Sequence, residues 1–280
     1  MTTAPEIRPL SISEVDLLLE WARQEGWNPG LEDAAAFLKA DPEGFLGCFT
    51  GNAMVAGTSA VRYGRSFGFI GLYICLPDYR GKGFGKIVWD AAMRHLEGRM
   101  IGLDGVPQQQ PNYRRMGFEE SYRTIRWSGK IAAHQPNATS VYPISARMLP
   151  DMFAYDRQLF PAERDSFLQL WLQQPREAMT IIREGAIAGY AVLRRCHEGY
   201  KIGPLFADGA REAEDLFFAC VNQAGGDVLH LDVPETQEAF SRVLQDAGMA
   251  PGFETSRMYK NGSPTVGHHG VFAITTLELG

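Results

Sequence analysis

Cysteine is scarce in this chain: Cys48, Cys75, Cys196 and Cys220 are its only four, and no two of them form a C-x-x-C pair. Widely separated and set mostly among apolar neighbours, they read as reduced, buried thiols, which excludes a disulfide framework and a thiolate metal site. The six histidines show no ligand spacing, and the adjacent His268 and His269 supply too few donors alone, so no metal is expected. No apolar run approaches the ~18 residues of a membrane span, and residues 1–9 lack a basic stretch followed by an apolar one. The expectation is a cytoplasmic protein with no membrane partner. An excess of positive charge is also missing. The net charge is −6, and residues 1–130 hold 15 of the 27 Lys and Arg but only 15 of the 33 Asp and Glu, so the acidity belongs to residues 131–280. Nucleic-acid binding rests on basic contacts to phosphates and is not expected here. An acidic half suits a cationic partner such as an amine, or solubility alone.

What the chain does have is length and apolar material for two cores: 280 residues, 45% hydrophobic and 11% aromatic. Residues 131–143, with two prolines and little periodicity, read as a linker between a first domain (1–130) and a second (144–280). In the first, Ser11 or Ser13 caps a helix with Val15, Leu18, Leu19 and Ala22 on its apolar face, and a second helix covers residues 31–39. Residues 45–50 and 54–63 read as a hairpin turned at Gly51-Asn52, and 67–76 as the next strand. A glycine-rich loop, a helix over 86–96, a strand over 100–103 and a short helix ending near Gly117 follow. The second domain repeats the first: Leu103-Asp104 parallels Leu231-Asp232, and Met116-Gly117-Phe118 parallels Ala247-Gly248-Met249. Mixed strands and helices in this order predict an α/β (α+β) fold in each copy.

The most informative stretch is Arg80-Gly81-Lys82-Gly83-Phe84-Gly85, between an apolar strand and a helix that starts at Lys86. Three glycines in five residues let a phosphate approach backbone N–H groups with no Cβ in the way, at the positive end of a helix. The spacing is not a Walker loop, because Ile87 stands where Ser or Thr is needed, and not a dinucleotide fingerprint, because Lys86 stands where the third glycine belongs. The remaining pattern, R-x-x-G-x-G after a strand, resembles the GNAT superfamily of N-acetyltransferases. The resemblance implies two tandem GNAT-like domains, each a mixed, mostly antiparallel sheet flanked by helices, with acetyl-coenzyme A (acetyl-CoA) as co-substrate. Its diphosphate would lie on Arg80, Gly81, Lys82, Gly83, Phe84, Gly85 and Lys86. In the second copy the corresponding Phe206–Glu214 stretch has one glycine and three acids, which would repel an anion. That copy is expected to be degenerate, covering the substrate face of the first or mediating a homodimer.

Asn112-Tyr113-Arg114-Arg115-Met116-Gly117-Phe118 resembles the family's second motif, which implies that the Tyr113 hydroxyl faces the thioester sulfur as general acid. A phenol can protonate or hydrogen-bond a thiolate as it leaves; a packing aromatic is the alternative. The second copy has Leu244 there. Asn112 reads as a partner of the pantetheine arm or as a turn former. Tyr73, Ile74 and Cys75 lie where the resemblance has the strand splay, its free backbone pairing with pantetheine. Cys75 is not expected to carry an acyl intermediate, having no base near it in sequence. The strand at 67–76 contains no acid, so Asp104 is the nearest candidate base, although Asp232 persists in the degenerate copy and favours a structural role; Glu43 is a further alternative. Trp21, Trp27 and Asn28 are candidates for the acceptor pocket, with core packing as the competing role of the tryptophans. The function these readings imply is transfer of an acetyl group to a primary amine of a small molecule by direct attack. A non-catalytic acyl-CoA sensor and a protein N-terminal or lysine acetyltransferase are the alternatives.

Overall fold

The computed structural model describes residues 4–133 and 141–280, so most of the linker expected over 131–143 lies outside the described residues. The first half opens with β1 (Glu6–Pro9) and α1 (Ile12–Gln24). The start of α1 is a capping box in which Glu14 accepts from the Ser11 amide at 2.8 Å, and its stripe of Val15, Leu18, Leu19 and Ala22 is buried as the spacing predicts. After α2 (Asp33–Ala40), β2 (Phe45–Thr50) and β3 (Ala53–Tyr63) form a hairpin turned at Gly51, whose φ of +59° favours glycine. Then come β4 (Phe67–Cys75), α3 (Phe84–His95), β5 (Met100–Gly105), α4 (Gln110–Arg115) and β6 (Glu119–Lys130). The second half runs through a similar series: β7 (Val141–Pro143), α5 (Leu149–Asp156), α6 (Asp165–Trp171), β8 (Glu177–Arg183), β9 (Ala186–Arg195), β10 (Tyr200–Ala207), α7 (Ala210–Ala224), β11 (Val228–Pro234), α8 (Glu238–Asp246) and β12 (Ala250–Lys260), with β13 (Val271–Ala273) added.

All these strands join one sheet in the order β1-β2-β3-β4-β5-β12-β6-β11-β10-β9-β8-β7, with β13 against β10. Only β4–β5 and β10–β11 pair in parallel; the other neighbours are antiparallel. The order reveals a reciprocal strand exchange. β12 of the second half inserts beside β5 of the first, and β6 of the first lies beside β11 of the second. The registers place Arg257 opposite Asp104 and Arg126 opposite Asp232. Each arginine clamps its acid with two bonds, at 2.9 and 2.8 Å for Arg257 on Asp104 and 2.8 and 2.9 Å for Arg126 on Asp232. The persistence of both aspartates in the repeat thus has a structural reason.

One apolar layer is shared by α1, α2, α5 and α6 across both halves. In it Phe37 stacks on Trp171 with ring centroids 6.1 Å apart, and Phe160 meets Tyr63 edge-on at 5.0 Å. On the other face α3 covers the first half around Val88, Trp89 and Ala92, and α7 covers the second around Leu216, Phe217 and Val221. Among the described residues no helix is long and apolar enough to cross a membrane.

Candidate active site

Pairing between β4 and β5 stops at Ile70 opposite Leu103. Beyond that point residues 71–75 pair with β3 alone, across a bulge where Leu72 takes a φ of +49°. The backbone edge of β4 that β5 would have covered therefore opens into a cleft of about 850 Å³.

The glycine loop closes one end of this cleft. Gly81 and Gly83 have φ of +74° and +89°, and a Cβ on either would meet no atom within 4 Å, so both present bare, open backbone. Gly85 is required for a different reason: a Cβ there would come within 2.8 Å of the Tyr73 hydroxyl. Among the described residues no backbone carbonyl accepts from the amides of residues 81 to 86. The first turn of α3 leaves such donors exposed by its nature, with Gly83 as cap. The flanking cations are mostly engaged elsewhere. Arg80 donates to the Cys75 carbonyl at 2.9 Å and pairs with Glu25, Lys86 pairs with Asp90, and Lys82 lies over the Tyr79 ring, which also packs against Phe84. The loop is thus held as a cradle of amides rather than a cluster of free charges.

Tyr73, Ile74 and Cys75 line the middle of the cleft. Burial pushes the Cys75 thiol up, against the pull of the Gly85 amide and Arg80, which keeps it protonated and argues against a nucleophilic role. Tyr113, on α4, stacks on Trp89 at 5.6 Å, and Trp89 also meets Tyr73 at 5.2 Å, so one indole fixes both phenols. Burial holds the Tyr113 hydroxyl well above its usual range, with Tyr73 adding to the effect. Asn112 is spent locally: it donates to Gln109 at 2.7 Å and accepts from Arg115, and Gln108 and Gln109 line the cleft in its place.

The residues considered for base and acceptor pocket separate clearly. Asp104 lines the cleft, but both its oxygens are taken by Arg257, and burial raises its carboxyl against the pull of that arginine. Glu43 is exposed, pairs with Arg62 and lies outside the cleft. Trp27 is at the cleft, and its carbonyl accepts from Arg126 at 3.0 Å and Lys201 at 2.9 Å. Trp21 is instead on the buried face of α1, where an indole fills core volume. Asn28, at φ +50°, exchanges two hydrogen bonds with the Glu198 backbone at 2.9 and 3.0 Å, a clasp between the halves. The sequence reading missed the opposite wall. Phe253 and Thr255 of β12, and Leu277 and Glu278 beyond β13, all line the cleft and come from the second half. No local motif announces them, since only the strand exchange brings them there.

The second half shows what became of the equivalent place. Pairing of β10 with β11 stops at Ile202 opposite Leu231, one residue before Gly203, as that of β4 stops one residue before Gly71. There β13 pairs with β10, Leu205 opposite Ala273 and Phe206 opposite Val271, and fills the gap with the chain's own backbone. Near the start of α7, Glu212 and Asp215 are tied to Arg183. Leu244, the counterpart of Tyr113, is fully buried. Among the described residues no group of three or more His, Cys, Asp or Glu is placed to hold a metal ion.

Residues 12–118 match the family model described as "Acetyltransferase (GNAT) family", and residues 152–273 match one described as "Acetyltransferase (GNAT) domain". Holothin acyltransferase of Pseudoalteromonas sp. (strain SANK 73390) is 31% identical over 275 residues, covering 98% of this chain and 94% of that protein. Among solved structures, a candidate acetyltransferase from Pyrococcus horikoshii aligns with a TM-score of 0.83 over 100% of this chain and 97% of its own, at 18% identity. A tandem GNAT protein from the clavulanic acid biosynthesis pathway aligns with a TM-score of 0.63 over 94% and 100%, at 13% identity.

Proposed function

This chain belongs to the GNAT acetyltransferase family, with two such domains in tandem, and from that premise we propose that it transfers an acetyl group from acetyl-CoA to a primary amine of a small molecule. The observation that carries the reading is the contrast between the copies. The first keeps an amide cradle and a free strand edge in one cleft, whereas the second has its edge covered by β13. We retain the division into an active copy, 1–130, and a degenerate one, 144–280, as a division of the repeat; each half lends its long last strand to the other.

The residues present fit acyl-CoA. The bare backbone at Gly81 and Gly83 and the amides of 81–86, none of which donates to a backbone carbonyl among the described residues, suit a diphosphate, with the α3 dipole behind them. The free edge of residues 71–75 offers N–H and C=O groups to the two amides of pantetheine, as a missing strand would. When bound, acyl-CoA supplies an activated acyl group. Tyr113 then donates a hydrogen bond toward the sulfur as negative charge develops there. With its pKa held so high, the phenol remains a protonated donor at neutral pH, and we assign it stabilisation of the thiolate rather than free release of its proton. Asp104 serves as the clamp for Arg257 and not as the base. Phe253, Thr255, Leu277 and Glu278 wall the acceptor side, which favours a small acceptor over a protein lysine or N-terminus.

Isothermal titration with acetyl-CoA and longer acyl-CoAs, followed by mass spectrometry of a small-amine panel that includes holothin, tests the reading. Micromolar acetyl-CoA binding and a product 42 Da heavier, about the mass of an added acetyl group by the chemistry of acyl transfer, are expected. The sensor alternative, favoured by the engagement of Asp104 with Arg257, predicts binding with no product from any acceptor.

A further inference from the structure

We propose that Glu278 is the general base of this reaction, receiving the acceptor's ammonium group in the cleft and taking one proton from it; the assignment rests on the acyltransfer reading above. The path of the chain gives it this position. After β13, Ile274 donates to the Asp232 carbonyl at 2.9 Å, and Arg164 holds the Thr275 hydroxyl at 2.9 Å. The segment crosses Gly203, where a Cβ would stand 2.4 Å from the Thr275 carbonyl oxygen, and then Gly71, where one would stand 2.2 Å from that of Glu278. These glycines are equivalent in the repeat, each one residue beyond the end of its parallel pairing. The absence of two Cβ atoms thus lets one segment lie across both splay points. Ser59 donates to the Glu278 carbonyl and Tyr63 to that of Leu279, each at 3.0 Å, which fixes the backbone beside the free edge of β4.

The side chain is the unusual part. Glu278 is 2% exposed and lines the cleft, yet neither carboxylate oxygen has a hydrogen-bond partner among the described residues. Other buried acids are each held by an arginine, Asp104 by Arg257, Asp232 by Arg126, Asp156 by Arg164, and Asp33 by Arg194 through Oδ2 although its Oδ1 also lacks a hydrogen-bond partner; Glu278 has neither oxygen engaged. An unpaired buried carboxylate is costly and is retained where something must come to meet it. Charged groups that act on it electrostatically are Asp104 on β5, Arg126 on β6, Arg194 on β9 and Lys201 on β10, with the Cys196 thiol nearby. Arg126 and Arg194 already hold Asp232 and Asp33, and Lys201 donates to the Trp27 carbonyl. The unpartnered Glu278 carboxylate therefore suits an incoming cation that brings its own N–H donors, such as an alkylammonium.

The protons balance. The carboxylate of Glu278 takes one proton from R–NH3+, and the freed lone pair forms the C–N bond while the C–S bond of the thioester breaks. The nitrogen's second proton ends on the departing sulfur, whose developing charge the Tyr113 hydrogen bond stabilises, and Glu278 returns its proton to water. The products are an amide, a thiol and one proton.

The test compares the full-length wild type with E278Q and E278D, using acetyl-CoA and the amine from the panel that the wild type acetylates fastest. E278Q is expected to bind acetyl-CoA as the wild type does and to lose about 10²- to 10³-fold in kcat/KM at pH 7. Because a base matters only while the acceptor is protonated, the deficit should shrink by about tenfold per pH unit as the amine deprotonates, and nearly vanish for an acceptor already neutral at pH 7. E278Q active at the wild-type rate, or equally impaired at every pH, overturns the assignment while leaving the acyltransfer reading intact. If E278Q does not fold, E278D decides: a loss of about tenfold or more with unchanged acetyl-CoA affinity supports the proposal, and a wild-type rate overturns it. A wild type that binds acetyl-CoA but acetylates no amine overturns both readings together.

Discussion

Removing the Arg257 guanidinium tests the strand exchange and the role of Asp104 at once. The pair is bidentate at 2.9 and 2.8 Å, with the side chains 6% and 0% exposed, so Arg257→Leu strands a buried carboxylate without its counter-ion. Breaking one side of such a pair costs about 3–5 kcal/mol, while replacing both sides with apolar groups is often close to neutral. Arg257→Leu should therefore lower the unfolding free energy in urea by about that amount, and Asp104→Leu with Arg257→Leu should recover most of it, giving a coupling energy of roughly 2 kcal/mol or more in the cycle. The same cycle on Arg126 and Asp232 should give a similar result, because the clamp is repeated with the same geometry on β6 and β11. Activity of the folded double variant decides the chemistry. If Asp104 only clamps β12 to β5, kcat/KM stays within about tenfold of wild type; the loss expected for a missing general base is about 10²-fold or more. A single substitution costing under about 1 kcal/mol, the level of an exposed pair, would refute the clamp. A stable double variant with base-level loss would return Asp104 to catalysis and displace Glu278.

Tyr113→Phe should lower kcat by about 10- to 10²-fold with acetyl-CoA affinity unchanged, since the hydroxyl acts only as charge develops on sulfur; equal rates in stopped-flow thiol release would leave it a packing residue on Trp89. Gly83→Ala forces a side chain to φ +89° and places a methyl on the open face of the cradle, so a stability loss of about 1–2 kcal/mol and an acetyl-CoA Kd raised about tenfold are expected by calorimetry. Unchanged affinity would mean the diphosphate lies elsewhere. For pH, burial works to raise the Asp232 carboxyl, but Arg126 and Lys201 prevail and bring it down to about 2. A depressed folded-state pKa means that the unfolded chain binds more protons in that window. The stabilisation is therefore present above the unfolded value near ~3.9 and lost as pH falls through about 2. Urea midpoints measured from pH 5 to pH 2 should fall, and should fall less steeply in Asp232→Asn.

The sequence was most informative where a requirement is local. A glycine needed for positive φ, a capping box and the period of α1 each depend on a few neighbouring residues, so the loop at 80–86, the helix stripe and the hairpin at Gly51 were legible. The copies were legible as well, through Asp104 and Asp232, because both halves repeat the same local pattern. What could not be read was pairing over long separations. Nothing near Arg257 states that it faces a residue 153 positions away, and the tandem order alone suggests two sheets rather than one with crossed strands. The misplaced candidates share that cause. Trp21 and Asn28 were assigned to the pocket from their element, but the shared core claims the indole and the Glu198 backbone claims the amide. Asn112 failed on a shorter scale, since Gln109 and Arg115 occupy its side chain within one helix.

The second copy is retained in the architecture because the first is incomplete without it. A bare β5 would expose its edge and leave Asp104 with no counter-ion, and the cleft would lose Phe253, Thr255, Leu277 and Glu278. The same segment covers an edge in the second copy and walls the cleft of the first: β13 fills the gap between β10 and β11, and from that anchor the following residues run across Gly203 and Gly71 into the first half. The filled cleft acts as a mooring for the wall of the open one. On the proposed reading, covering of the free edge in the second copy and completion of the cleft wall in the first come from one continuous segment, so substitutions in the second copy's packing and final segment should disturb the cleft more than those at the positions that match the glycine loop.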